Sequence, residues 1–228
     1  INEGAVSVTL GLKGMPNISE SLQISRDLEI LKYAQGQLHI PTISTKESVT
    51  LIKKAKAEGL NVSCSVSINH LCLTDEMLHE FDTQYKILPP LRTEQDRQAL
   101  IQGLKDGTID GVTSDHNPID IEHKKVEFSH AAFGSIGLES CFGALLGIVD
   151  LTTTIKALTG LKQVFGINQT TIDFHQPANF TVFDPTHQST FTRDNISSTS
   201  TNSALLGQQM TGRVLGIMNH GLWSANGK

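Results

Sequence analysis

Apolar and polar positions along the chain alternate between β-branched runs and helical periods. Residues 19–35 place Leu22, Arg26, Ile30 and Tyr33 near one helical face, with Leu28 and Leu31 beside it, and Gly36 stops the helix. The run 37–43, "QLHIPTI", reads as a short strand whose end is marked by Pro41. Residues 46–58 read as a helix with Val49, Leu51 and Ile52 inward, lysines outward and Gly59 as its cap. "LNVSCSVSI" (60–68) alternates valine and serine and predicts a strand. A short helix is expected from Thr74 to Phe81. Thr93 and Asp96 resemble a capping pair ahead of a helix that turns Leu100, Ile101 and Leu104 inward. Residues 109–115 form a third strand, and 134–149 reads as an apolar helix of small residues.

This β-α-β-α order favours parallel strands joined by helices. Beyond about residue 150 the texture changes. "LTTTIKALTGLKQVFGI" looks helical, "PANFTVFDP" reads as a short buried strand, "SSTSTNS" (197–203) as a loop and "TGRVLGIMNHG" as a last strand. The expected division is an α/β barrel portion at 1–165 and a small β-rich unit at 166–228. A (β/α)8 barrel takes about 250 residues, and only about four of its eight strands are legible. The chain is therefore expected to be the C-terminal part of a larger barrel protein, or to need a partner that closes it.

Composition narrows the function classes. The chain has 228 residues, 38% hydrophobic and 18% charged, with a formal net charge of −5 and no basic block. That argues against nucleic-acid binding through phosphate neutralisation. Apolar runs fall far short of a membrane span, and no signal peptide is visible. Cys64, Cys72 and Cys141 form no close pair, as suits reduced thiols in a cytoplasmic protein.

The three parallel strands each run into polar residues: Thr42 to Thr45, Asn69-His70 and Asp115-His116. Chemistry in parallel barrels collects at that end, because the loops there converge. His70 and Asp115 supply an imidazole and a carboxylate, the beginning of a zinc site, and a carboxylate can also accept a proton from metal-bound water. The plainer reading of each is a hydrogen-bonded structural histidine and a turn aspartate. His39 and the remaining histidines read as structural or solvated. Arg92 either holds an anion or fixes a loop. There is no glycine-rich phosphate loop, no G-x-S-x-G and no H-E-x-x-H.

The ordered run "LHIPTISTKESVTLIKKAKAEGLNVSCSVSINHLCLTDEML", then "YKILPPLRTEQDRQALIQGLKDGTIDGVTSDHNPIDIEHKKVEFSHAAFGSIGLES", resembles dihydroorotases of the amidohydrolase superfamily over about residues 2–150. "PANFTVFDP" and "TGRVLGIMNHG" resemble that family's small composite β-domain. The resemblance implies the distal half of a TIM-like barrel and, in the whole family member, a binuclear zinc site. It implies reversible ring closure of carbamoyl aspartate to dihydroorotate in pyrimidine biosynthesis, with a strand-end aspartate shuttling the proton. Asp115 in "TSDH" matches that aspartate, as catalytic and metal residue. His70 in "INHL" matches a zinc ligand where the family usually shows "PHHL".

Three positions depart from the family pattern. Thr42 in "TIST" stands where the family has a ligand histidine, "HVST" or "HIST". Leu88 in "LPPLR" stands where "NPPLR" has a substrate-binding asparagine. Ile119 in "DHNPI" stands where "DHAPH" has a histidine that binds the substrate carboxylate. Each hydrogen bond lost to a charged group costs about 1.5–3 kcal/mol, so the two apolar replacements alone could lower activity by several powers of ten. The upstream H-x-H and the bridging residue of the family are not in this chain. Two readings follow: a dihydroorotase-type enzyme whose remaining ligands lie elsewhere, or a noncatalytic dihydroorotase-like pseudoenzyme that supports aspartate carbamoyltransferase as part of a homo-oligomer or larger complex. A hydantoin- or allantoin-type cyclic amidohydrolase is a third.

Overall fold

The computed structural model describes residues 1–167 and 171–226. Its first part is a parallel sheet of three strands in the order β1 (Leu38–Ile40), β2 (Val62–Ser67) and β3 (Gly111–Thr113). The helices α2 (Ile18–Ala34), α3 (Lys46–Ala57) and α5 (Glu94–Lys105) intervene, and α1 (Ala5–Leu10) precedes them. The α/β content expected from the alternating pattern is present.

All six residues of β2 are buried, although its sequence alternates. Val62, Cys64 and Val66 join the main apolar cluster with Val49, Ile52, Leu100 and Leu104. The serines occupy the opposite face. Ser63 and Ser65 lie 2.8 and 3.2 Å from the two ring nitrogens of His39, its neighbour in register on β1. The same face receives Leu161 at Gly111, where a Cβ would come within 2.4 Å of the leucine side chain, and the Phe165 ring against His39. A parallel strand covered on both sides is the usual outcome.

The helix at 18–34 does not pack by the face of Leu22, Arg26, Ile30 and Tyr33; the flanking Leu28 and Leu31 go inward, together with Ile24. Ile24, Leu28 and Leu31 are buried, whereas Leu22 is 66% and Tyr33 91% exposed. The reason is polar. Glu20, one turn before Ile24, must reach the loop after β1. Its carboxylate accepts from the Ser44 N–H at 2.8 Å, the Thr45 N–H at 3.1 Å and the Ser48 hydroxyl at 2.6 Å, and also from the Ser44 hydroxyl. The buried Arg92 guanidinium closes the same knot. It donates to Ser44 Oγ at 3.1 Å, to Asn2 Oδ1 at 2.9 Å and to the Met15 carbonyl at 2.7 Å. Arg92 thus fixes loops, and its hydrogen bonds are taken up by the protein itself.

The apolar run at 134–149 is helical only in α7 (Cys141–Leu146). Residues 134–140 serve instead as an extended seam. Ser135 bridges to His116, Ile136 N–H donates to the Asn202 carbonyl, and a Cβ on Gly137 would meet the Ser114 carbonyl at 2.2 Å. The helix expected over 151–167 splits into α8 (Leu151–Thr159) and α9 (Leu161–Val164) at Gly160, whose missing Cβ allows approach to the Asp110 carbonyl. Two further short helices, α4 (Ile68–Cys72) and α6 (Ile121–Lys124), follow β2 and β3.

The C-terminal strands make a separate antiparallel sheet of β4 (Phe180–Thr190), β5 (Gln209–Asn219) and β6 (Leu222–Ala225). β4 is longer than the expected buried run and has no fully buried residue. It passes through Pro185 because its register with β5 breaks between Asp184 and Gln188, where no ladder N–H is needed. His220 and Gly221, both at positive φ, turn β5 tightly into β6, a strand the sequence reading did not include. Between β4 and β5, Phe191, Ile196, Ala204 and Leu205 return to the main apolar cluster.

Two lysines are spent internally. Lys124 is fully buried and donates to the Thr83 and Lys86 carbonyls at 2.9 and 3.3 Å. Lys86 donates to the Phe128 and Ser129 carbonyls and lies over the Phe128 and Phe133 rings. Burial, and secondarily the Lys86 charge, push Lys124 down to about 8.

Two tests follow. Glu20→Ala strands two backbone donors and several hydroxyls, and urea unfolding should show a loss of about 2–4 kcal/mol. A loss under about 0.5 kcal/mol would contradict the knot. For Lys124, the unfolded chain holds a proton between pH 8 and the ordinary value of 10.5 that the folded chain has released, so stability rises with pH in that window. The wild type should gain on the order of 2 kcal/mol between pH 8 and 10 relative to Lys124→Met. Parallel pH profiles would refute the assignment.

Candidate functional site

The parallel strands end at one side of the sheet, and the residues beyond them form the candidate site. Beyond β1, the chain passes Pro41 and reaches Thr42 with φ 50. Beyond β3, it passes Ser114 and reaches Asp115 with φ 46. These are left-handed conformations, and for a β-branched threonine that is a true outlier, costing on the order of 1–3 kcal/mol. Such strain persists where surroundings over-determine it. At Thr42 those surroundings are the Ser65 carbonyl, which accepts from the next N–H, and the Glu20 knot, which holds Ser44 and Thr45.

β2 runs directly into α4, a single turn whose N-cap is Ser67. Ser67 Oγ accepts from the Asn69 N–H at 3.2 Å and also bonds the Asp115 side chain. Asp115, Ser67 and Asn69 are thereby joined across two strands. Burial raises the Asp115 carboxyl above its ordinary value, and the bond to Ser67 offsets part of that rise.

His70 is 2% exposed. Its Nε2 lies 3.0 Å from the Pro89 carbonyl, so Nε2 carries the proton and Nδ1 the lone pair. Burial pushes the imidazole down to about 4, so the ring is neutral at ordinary pH. Nδ1 is buried with no hydrogen-bond partner among the described residues. A carbonyl on one ring nitrogen and a free lone pair on the other suits a metal ligand.

Asn69 was passed over in the sequence reading. It is 0% exposed, and both its amide oxygen and its amide nitrogen lack partners. The signal was present: "PHHL" carries two adjacent histidines, and "INHL" places Asn69 at the first of them. His70 occupies the second position and is anchored to Pro89 through Nε2, so among the described residues both Asn69 amide atoms and His70 Nδ1 are left buried without a partner.

The other two replaced positions lie in the surrounding loops. Leu88 is 54% exposed, immediately before Pro89. Ile119 is half-buried. Its N–H donates to Asn202 Oδ1 at 3.1 Å, and its carbonyl accepts from the Ser200 hydroxyl at 2.7 Å. Thr42 and Pro89 share a cleft of about 260 Å3 with His39 and Glu20. His116 Nδ1 accepts from the Gly137 and Leu138 N–H groups, which pins the 134–138 seam to the strand-end loop.

Zinc fits these residues poorly. The strand ends offer the His70 and His116 imidazoles, the Asp115 carboxylate, the Asn69 amide and several hydroxyls, Thr42 among them. Among the described residues no three His, Cys, Asp or Glu side chains gather to hold a metal. Catalytic zinc takes three such protein ligands gathered at one point, and the described residues make no such group.

No family model matches the chain. Curated relatives named dihydroorotase are similar to it over most of its length. The protein of Chlorobaculum tepidum is 36% identical over 239 residues, covering 96% of this chain and 54% of its own. That of Geotalea daltonii is 37% identical, covering 93% and 51%. The chain thus spans about half the length of the curated relatives it matches. Among solved structures, L-hydantoinase (dihydropyrimidinase) from Arthrobacter aurescens superposes with a TM-score of 0.83 at 24% identity, over 92% of this chain and 49% of that one. The inactive dihydroorotase-like domain of a CAD-like multifunctional protein from Chaetomium thermophilum superposes with a TM-score of 0.65 at 18% identity, over 88% and 54%. The fold is therefore that of amidohydrolases of the hydantoinase and dihydropyrimidinase kind.

The strained threonine gives a direct test. Asparagine accepts the left-handed region more readily. Thr42→Asn should therefore stabilise the chain by about 1 kcal/mol in urea unfolding. Destabilisation would mean that the Thr42 side chain contributes more than its backbone costs.

Proposed function

We propose that this chain is the distal half of a dihydroorotase-type barrel protein of pyrimidine biosynthesis whose site has lost its capacity for catalysis. On this reading residues 1–165 are the barrel half and 166–228 the small β-rich unit. Asp115 stands at the position of the proton-shuttling aspartate, and His70 and Asp115 are the metal-facing residues that remain. The relatives at 36–37% identity support the dihydroorotase assignment over a hydantoinase one, because the likeness to hydantoinases is one of fold.

One observation carries the loss of activity. The positions that would grip cations and an acidic substrate hold groups that cannot: a hydroxyl at Thr42, an unpartnered buried amide at Asn69, an exposed leucine at 88 and a half-buried isoleucine at 119. The loops around these positions keep their hydrogen bonds. Ser44, Thr45 and Arg92 keep the hydrogen bonds that shape the mouth. A chain that keeps the frame and replaces the contents is suited to supporting a partner. The partner we propose is aspartate carbamoyltransferase, within a homo-oligomer or larger cytoplasmic complex. Full activity with ligands supplied from elsewhere is the competing reading.

The native polypeptide that carries this chain decides between them. Supplied with zinc and carbamoyl aspartate, it should form dihydroorotate about 10²- to 10⁴-fold more slowly than a competent dihydroorotase, as expected from losing two charged hydrogen bonds of about 1.5–3 kcal/mol each. It should also co-elute with aspartate carbamoyltransferase on size exclusion. Turnover within tenfold of a competent enzyme would overturn the noncatalytic reading.

A further inference from the structure

We infer that the outward face of α2 is the interface through which two copies of this chain pair, helix against helix in antiparallel order about a two-fold axis. This names a surface for the homo-oligomer proposed above and does not depend on what the strand-end site does.

α2 carries apolar residues on two opposite sides. Ile24, Leu28 and Leu31 are buried in the main apolar cluster. At about 100° per residue, Ile18, Leu22, Arg26, Glu29 and Tyr33 fall within about 40° of one line on the reverse side. All five are exposed, Ile18 to 65%, Leu22 to 66% and Tyr33 to 91%. Single exposed apolar residues are ordinary, whereas three aligned along about four turns of one helix make a seam. A helix that covers a parallel sheet turns one stripe to the strands and the reverse stripe away from them. Strands or helices that extend the sheet come to lie behind or beside α2, so they leave this stripe uncovered.

The order of the stripe selects a second copy. Along the helix it runs apolar, positive, negative, apolar: Leu22, Arg26, Glu29, Tyr33. When it is laid antiparallel on itself about the level of Asp27 and Leu28, Leu22 meets Tyr33 of the second copy and Arg26 meets Glu29 of the second copy. Each contact occurs twice, as an isologous two-fold interface requires. A parallel arrangement in the same register sets Arg26 on Arg26 and Glu29 on Glu29, and like charges oppose it. Arg26 donates to the adjacent Asp27 at 2.9 and 2.8 Å, and its side chain keeps 64% of its surface exposed, so it can turn to the second copy. Beside Leu22, between α2 and α3, runs a groove of about 440 Å3 lined by Ile18, Leu22, Thr50 and Leu51. Tyr33 of the second copy comes opposite this groove, and its flat ring with a polar tip is the kind of anchor that fills such a slot.

The experiment is sedimentation velocity at micromolar concentration and low salt, on the native polypeptide that carries this chain. We expect an even-numbered assembly whose mass is halved by Leu22→Glu/Tyr33→Glu. Arg26→Glu and Glu29→Arg, each alone, set like charges across both contacts and should weaken pairing by about tenfold. An equal mixture of these two single variants should recover it as a mixed dimer, because every charge then faces its opposite. Effects within one helix cannot give that recovery, since each protein keeps its own sequence. A monomeric wild type, a mass unchanged by the double variant, or a mixture that pairs no more tightly than its components would overturn the inference. So would co-elution with aspartate carbamoyltransferase that the double variant abolishes and the charge mixture does not recover, which assigns the face to that partner. Circular dichroism checks that each variant folds, and the two charge variants carry the test if the double variant does not. A monomer without turnover defeats this inference and leaves the noncatalytic reading intact. A dimer with full turnover does the reverse.

Discussion

The architecture of the strand-end face depends on one half-buried carboxylate. Glu20 lies on the inward stripe of a helix otherwise made of Ile24, Leu28 and Leu31, and it gathers the loop after β1 by its backbone N–H groups and hydroxyls. Arg92 reaches the same Ser44 hydroxyl from the far side and ties in Asn2 and Met15. Asn2 in turn donates to Asp75 at 2.7 Å. Segments distant in sequence meet in one polar network inside the protein. Fully satisfied networks of this kind specify a unique arrangement, and each member is costly to remove. It is this network that holds Thr42 at a φ that threonine seldom adopts.

The residues around the strand ends separate into two groups with different physical roles. Ser44, Thr45, Arg92, Thr93 and Asp96 bond to other parts of the chain and shape the loops. Thr42, Asn69, Leu88 and Ile119 bring neither a charge nor an imidazole to the strand-end face.

The C-terminal segment matters to that scaffold more than its composition suggests. The polar tract after 197 ends in the buried Asn202, which accepts from the Ile119 N–H and donates to the Asn117 and Gly134 carbonyls. Glu139 accepts from the Ser197 and Ser198 N–H groups. The strand-end loop 115–119 is therefore held from behind by residues eighty positions later, while β4 to β6 form their own sheet.

Hydrophobic periodicity, caps and turn residues were enough to predict the alternating α/β order, the three parallel strands, the Thr93–Asp96 cap and the polar strand ends. These are local consequences of side-chain type, and motif order carried the family. Tertiary structure alone decided which stripe of the first long helix is buried, because a glutamate on that stripe has its partners on another loop. It also decided that 134–140 is a seam and not a helix, since Gly137 must lie against Ser114. Above all it decided that one His70 ring nitrogen is taken up by the Pro89 carbonyl, while the buried Asn69 amide has no hydrogen-bond partner among the described residues. Which polar atoms of this turn find partners depends on the packed neighbours and not on the local sequence.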